Sequence, residues 1–144
     1  MESGKNRASL SILVVEDDKD AREILVAIIP RKFPDMTIYS AVNGKAGLDL
    51  FKNQAPDIVI TDINMPEMGG IEMADEIRAI NPHTRLIVLT ADTGKATLQD
   101  AVRKGVETNH YITKPIDYRD LFAAIEQCRG ELPRPPPRKT GPSL

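Results

Sequence analysis

What most restricts the fold of this chain is a change of period that repeats five times. Short apolar runs of strand length alternate with segments whose apolar residues recur at helical spacing. The first run is Leu10-Ser11-Ile12-Leu13-Val14-Val15, and from Lys19 the helical set Ala21, Ile24, Leu25, Ile28 and Ile29 follows, with Pro30 and Pro34 expected to close it. Met36 to Ala41 is a weaker strand. Asn43-Gly44 suits a hairpin turn, but Ala46, Leu48, Leu50 and Phe51 continue with helical character, so the pair reads as a strand-to-helix loop. Pro56 stops that helix, and Ile58-Val59-Ile60 forms the third strand, ending at Thr61-Asp62. Ile71, Ala74, Ile77 and Ile80 mark the third helix, which Asn81-Pro82 closes. Leu86 to Thr90 is the fourth strand, Lys95 to Lys104 a short helix resting on Leu98, Ala101 and Val102, and His110 to Thr113 the last strand. Asp117 is placed to cap a final helix carrying Leu121, Phe122, Ile125 and Cys128.

Strands that are apolar at successive positions are buried on both faces, and strands alternating with helices imply parallel pairing. The fold class is therefore α/β, a doubly wound parallel sheet with helices on both sides. With 144 residues, 41% hydrophobic and 28% charged, the chain supports one domain with a substantial core. We expect a loose N-terminus over residues 1–9, a folded unit over 10–129 and a tail or linker over 130–144. Beyond Gly130 the tail, Glu131-Leu132-Pro133-Arg134-Pro135-Pro136-Pro137, is expected to be extended and unpacked. There is no internal repeat. The start has no signal-peptide pattern, and no apolar run approaches the roughly 20 residues of a membrane helix. The single Cys128 excludes an internal disulfide, fits a reducing compartment and is read as a packing residue. Net charge is −2, but residues 133–144 carry +3 and 1–9 carry +1, leaving −6 on 10–132. An acidic body argues against direct nucleic-acid binding. These features together favour a cytoplasmic protein without membrane contact.

Parallel strands release their carboxyl ends on one edge of the sheet, where open α/β sheets bind ligands. The residues at that edge are Glu16, Asp17 and Asp18 after the first strand, Asp62 after the third, Thr90 at the fourth and Lys114 after the fifth. Pro66 and Gly69-Gly70 punctuate the loop that follows Asp62. Each residue alone has an ordinary explanation: a strand end, a solvated helix start, a surface lysine before a turn. Jointly they make chemical sense. Clustered carboxylates repel unless a cation lies between them, and hard oxygen ligands suit Mg²⁺. A lysine and a hydroxyl beside them suit phosphoryl oxygens, and an aspartate can itself become an aspartyl-phosphate.

The pieces Ile-Leu-Val-Val-Glu-Asp-Asp (12–18), Asp-Ile-Asn-Met-Pro-Glu-Met-Gly-Gly (62–70), Val-Leu-Thr-Ala (88–91) and Tyr-Ile-Thr-Lys-Pro (111–115) resemble the receiver domain of two-component response regulators, over about residues 10–129. The resemblance implies a flavodoxin-like five-stranded parallel sheet in the order 2-1-3-4-5. It implies Asp62 as phospho-acceptor and as one of the Mg²⁺ residues, with Asp17 the direct ligand, Glu16 holding the metal's waters and Asn64 offering its backbone carbonyl. Thr90 and Lys114 would contact the phosphoryl group. Tyr111 would turn inward as Thr90 moves, and the Lys114-Pro115 bond would be cis, making Pro115 part of the switch region. Asp18 fills the third acidic position, without a direct role. The implied partners are a sensor histidine kinase or phosphotransfer protein and an effector or output domain beyond residue 144. A homodimer through the face of the fourth helix, last strand and fifth helix is also implied. The segment Gly105 to Tyr111 is about two residues longer than the family's usual connection, and Gly69 stands where the family commonly has Asp or Asn. Asn64 and Asp92 occupy positions that resemble those setting the phosphoryl lifetime. His83 and His110 are read as ordinary surface or loop residues.

On this reading the chain is a phosphorylation switch and not an enzyme in the ordinary sense, its chemistry being confined to its own aspartate. Two rivals stand beside it. A phosphatase or phosphotransferase with an aspartyl nucleophile would need an acid/base carboxylate close after Asp62, where the sequence has Asn64 and then Glu67 beyond a proline. A pseudo-receiver would keep the fold as a phosphorylation-independent binding module.

Overall fold

Five apolar runs become five parallel strands. The computed structural model describes residues 10–63, 65, 68–90 and 109–132. In chain order the elements are β1 (Ser11–Val15), α1 (Lys19–Lys32), β2 (Thr37–Ala41), α2 (Gly44–Gln54), β3 (Ile58–Asp62), α3 (Gly70–Ile80), β4 (Arg85–Thr90), β5 (His110–Thr113) and α4 (Tyr118–Glu131). The sheet order is β2-β1-β3-β4-β5, all parallel, as the resemblance implies. The expected helix over 95–104 lies outside the described residues, as do Asn64, Asp92 and most of the longer connection before β5.

The two-residue repeat of a strand, with both faces covered, explains the apolar runs of β1, β3 and β4. On one face Ile12, Val14, Ile58, Ile60, Ile87, Leu89 and Ile112 pack with Leu25, Ile29 and Phe33 of the α1 region and Leu121, Ile125 and Cys128 of α4. On the other, Leu13, Val15, Val59, Leu86 and Val88 pack with Leu48 and Phe51 of α2 and Met73, Ala74 and Ile77 of α3. Each fully buried Leu or Ile contributes about 1.5–3 kcal/mol by leaving water, so both faces drive the fold.

The helices depart from the sequence reading at their edges. Pro30 does not close α1 but lies inside its last turn. Proline costs a helix one backbone donor, yet burial of Ile29 and Phe33 holds the turn, and the Phe33 N–H closes it on the Ile29 carbonyl at 2.8 Å. Ile24 and Ile80, assigned to buried faces, are 45% and 51% exposed, while Met73 is fully buried. In α1 and α3 the buried stripe leaves out one of the apolar residues assigned to it. Gly130 does not end α4, which runs to Glu131, and Leu132 is buried in the core, so Glu131 and Leu132 do not belong to the expected unpacked tail. A glycine costs a helix about 1 kcal/mol; here Cys128 and Leu132, packed on either side of it, hold the last turn.

Asn43 and Asp117 cap α2 and α4, accepting from the backbone N–H of Ala46 at 2.7 Å and of Arg119 at 3.0 Å. Gly44 and Gly70 each open a helix where another backbone passes close by. A Cβ at Gly44 would strike the Met68 carbonyl, and one at Gly70 the Asp62 carbonyl. Both glycines thereby fit the loop after β3 against the body of the domain.

Candidate functional site

The carboxyl ends of β1, β3, β4 and β5 meet at one edge. Register fixes who meets whom: Val15 lies beside Thr61, Asp62 beside Leu89, and Thr90 beside Thr113. The next residue along β5, Lys114, donates its backbone N–H to the Thr90 carbonyl at 2.8 Å. Its side chain then reaches across two strands. The Lys114 ammonium lies 3.1 Å from Asp62 Oδ2 and 3.1 Å from Glu16 Oε1, with the Glu16 side chain 1% exposed and that of Asp62 13%. The Lys114-Pro115 peptide is cis, as the resemblance implies.

Both carboxylates are also held by backbone. Asp62 Oδ1 accepts the N–H of Ile63 at 2.8 Å, and Glu16 Oε2 accepts the N–H of Asp18 at 3.1 Å. One oxygen from each of Glu16, Asp17 and Asp62 falls within 4.8 Å of the others. Burial pushes the Glu16 carboxyl above its usual range; hydrogen bonds from Asp18 and Lys114 oppose this and the charge of Asp62 adds to it. Burial alone would lower the Lys114 ammonium, but its hydrogen bonds to Asp62 and Glu16 outweigh that and hold it above its ordinary value. Lys114 is thus firmly charged. The Lys114 ammonium pairs with two of the three clustered carboxylates, and two like charges at such separations repel by a few kcal/mol at an effective dielectric of about 20.

The donor set suits a hard divalent cation. Mg²⁺ takes oxygen ligands at about 2.0–2.1 Å, keeps several waters and uses one or two carboxylates directly. Oxygens within 4.8 Å of one another can therefore share one ion, some directly and some through water. Exposed Asp17 and half-buried Asp62 are suited to direct contact, and buried Glu16, already committed to Lys114, to a water-mediated one.

Glu16, Asp17, Asp62 and Lys114 come together as the sequence suggests. Thr90 is at the same edge, 3% exposed. Tyr111 is 39% exposed on β5, and Pro115 is exposed beside Lys114. The sequence reading missed Arg22, whose guanidinium donates to the Glu16 main-chain carbonyl at 2.9 Å. An arginine in the first turns of a helix reads as a solvated charge, and nothing in its spacing marks it.

With this geometry in view, the comparisons with known proteins decide the family. Residues 12–126 match the response regulator receiver domain. The chain belongs to that family. It is 41% identical to the solved N-terminal domain of an uncharacterized protein from Wolinella succinogenes, covering 84% of this chain and 94% of that one with a TM-score of 0.75. It is 34% identical over 122 residues to an uncharacterized 14.6 kDa protein of Leptolyngbya boryana, covering 83% of this chain and 90% of that protein. It is 32% identical over 120 residues to the transcriptional regulatory protein ZraR of Escherichia coli K12, covering 83% of this chain but 26% of the relative. The receiver thus spans about a quarter of that regulator. No helix among the described residues is long and apolar enough to cross a membrane.

Proposed function

We propose that this receiver is a phosphorylation-operated switch in which Asp62 accepts a phosphoryl group from the phosphohistidine of a sensor kinase or phosphotransfer protein. One observation carries the reading: the ammonium of Lys114, from the end of β5, lies 3.1 Å from carboxylates at the ends of β1 and β3. An ammonium bonded to the acceptor carboxylate is placed to meet the oxygens of an arriving phosphoryl group. In the transfer a carboxylate oxygen of Asp62 forms the new O–P bond as the N–P bond of the donor breaks, the electron pair remaining on the imidazole nitrogen. The Ile63 N–H steadies the carboxylate, Lys114 balances charge on the phosphoryl oxygens, and Thr90 offers its hydroxyl to the same group. Glu16, Asp17, Asp62 and the carbonyl of Asn64 would hold Mg²⁺, which when bound neutralises phosphoryl charge and orients its oxygens.

The phosphorylated dianion draws Thr90 and Lys114 toward it. Tyr111 follows, and the surface that includes β5 and α4 shifts population between two arrangements. That surface then controls a partner, an output domain beyond residue 144 or a second copy of the chain. The receiver unit of about residues 10–129, with its last helix continuing to Glu131, lies between an N-terminal segment and a proline-rich tail or linker, and works in the cytoplasm. It turns over no metabolite.

Intact-protein mass after incubation with acetyl phosphate and Mg²⁺ tests this. One phosphoryl adduct is expected in the wild type, lost in Asp62→Asn and on chelation. An adduct of equal stoichiometry in Asp62→Asn would overturn the assignment. Absence of an adduct with acetyl phosphate and with a phosphorylated histidine kinase alike would favour the pseudo-receiver.

A further inference from the structure

We propose that Arg22 is a positioning residue for the acidic loop, setting cation affinity without touching the ion. The inference rests on the cation-assisted reading above and deepens it. Glu16 is fixed from every side the structure describes: its N–H donates to the Ala41 carbonyl at 3.1 Å, and its carboxylate takes the Asp18 N–H and the Lys114 ammonium. Its carbonyl takes Arg22 Nη1 at 2.9 Å. A planar trans peptide turns as a unit, so gripping that carbonyl fixes the Glu16–Asp17 peptide plane, and with it the direction in which Asp17 leaves the chain. Asp17 itself is exposed and lies outside the core that holds Glu16.

Arg22 is in turn held by the helix it belongs to, its N–H donating to the Asp18 carbonyl at 2.9 Å. The loop from Glu16 to Asp18 is therefore clamped at both ends by the first turn of α1, through one side-chain and one backbone bond to the same residue. A ligand set ordered before the ion arrives spares the ordering cost on binding. The guanidinium also carries a positive charge toward the cluster, and by simple repulsion that charge would weaken cation binding. The two effects have opposite signs on removal of the side chain, so the direction of the change in affinity tells them apart.

The experiment measures Mn²⁺ affinity by electron paramagnetic resonance in the full chain, for wild type, Arg22→Met and Arg22→Lys. Thermal unfolding without metal and the amide spectrum of residues 16–18 are followed in parallel. Expected is a loss of affinity of about 5- to 10-fold in Arg22→Met, with shifted Asp17 and Asp18 amides and a cooperative unfolding transition retained. Arg22→Lys, which keeps a donor and the charge, should recover part of the loss. Tighter binding in Arg22→Met would show that the charge dominates and would overturn the proposal. Unchanged affinity with lowered thermal stability would overturn it too, as a purely structural role. If Arg22→Met does not fold, Arg22→Lys decides: affinity equal to wild type with shifted Asp17 and Asp18 amides would contradict the proposal, and weaker affinity with those shifts would support it. A wild type that binds no Mn²⁺ would overturn the cation-assisted reading itself, and this inference with it.

Discussion

Lys114 ties the site's two inner carboxylates together. Its ammonium lies against the carboxylates of both Glu16 and Asp62, and Glu16 is almost fully buried. Removing one partner of a buried pair leaves its charge desolvated, which costs several kcal/mol in a dry interior. Because Lys114 is itself 25% exposed, water offsets part of this. Lys114→Met is expected to lose about 1–3 kcal/mol of metal-free stability in urea unfolding, and added Mg²⁺ should recover more in the variant than in the wild type. Asp62→Asn is expected to go the other way, relieving repulsion and raising metal-free stability by about 0.5–2 kcal/mol. At this scale the sequence was informative where residue type and place coincided. Asp62 ends an apolar run and Lys114 follows a short strand before a proline, so strand ends could be assigned and their chemistry compared. Arg22 was invisible because its partner is a main-chain carbonyl, which no side-chain pattern announces.

At the scale of elements, the strands were legible and the helix margins were not. A strand buried on both faces admits few polar residues, so β1, β3 and β4 stand out in the chain. Helix margins depend on which side of an apolar residue meets the sheet, and periodicity alone left Ile24 and Ile80 on the wrong side. The proline and glycine signals failed for the same reason: packing of Ile29, Phe33, Cys128 and Leu132 outweighed local preference at Pro30 and Gly130. Three substitutions separate these effects. Gly130→Ala, with nothing within 4 Å of its added methyl, should stabilise the protein by about 0.5–1 kcal/mol. Asn43→Ala should cost about 1 kcal/mol by removing the cap on α2. Gly70→Ala should cost about 1–3 kcal/mol through overpacking against the Asp62 carbonyl, and should alone of the three slow phosphorylation, because it displaces the backbone of the proposed acceptor. Chemical unfolding and acetyl phosphate labelling of the three variants would establish that order.

For the whole molecule, the two apolar layers tie a polar edge to a core that reaches the far end of α4. Cys128 is fully buried there, and burial pushes its thiol from an ordinary 9.0 up to about 11. Between those values the unfolded chain releases the thiol proton and the folded one keeps it, so stability must fall as pH rises through that window. Wild-type protein should lose about 1–3 kcal/mol more across it than Cys128→Ala, which has a constant cavity cost and no thiol. Equal slopes in urea unfolding would show the thiol to be ionised in the native state. The central claim, that Asp62 is the acceptor, has a more direct test. Protein phosphorylated by acetyl phosphate is reduced with borohydride, which converts an acyl phosphate to an alcohol, and the peptides are then sequenced by mass spectrometry. Homoserine at position 62 and at no other carboxylate is the expected result; homoserine at Asp17, or the corresponding alcohol at Glu16, with Asp62 intact would contradict it.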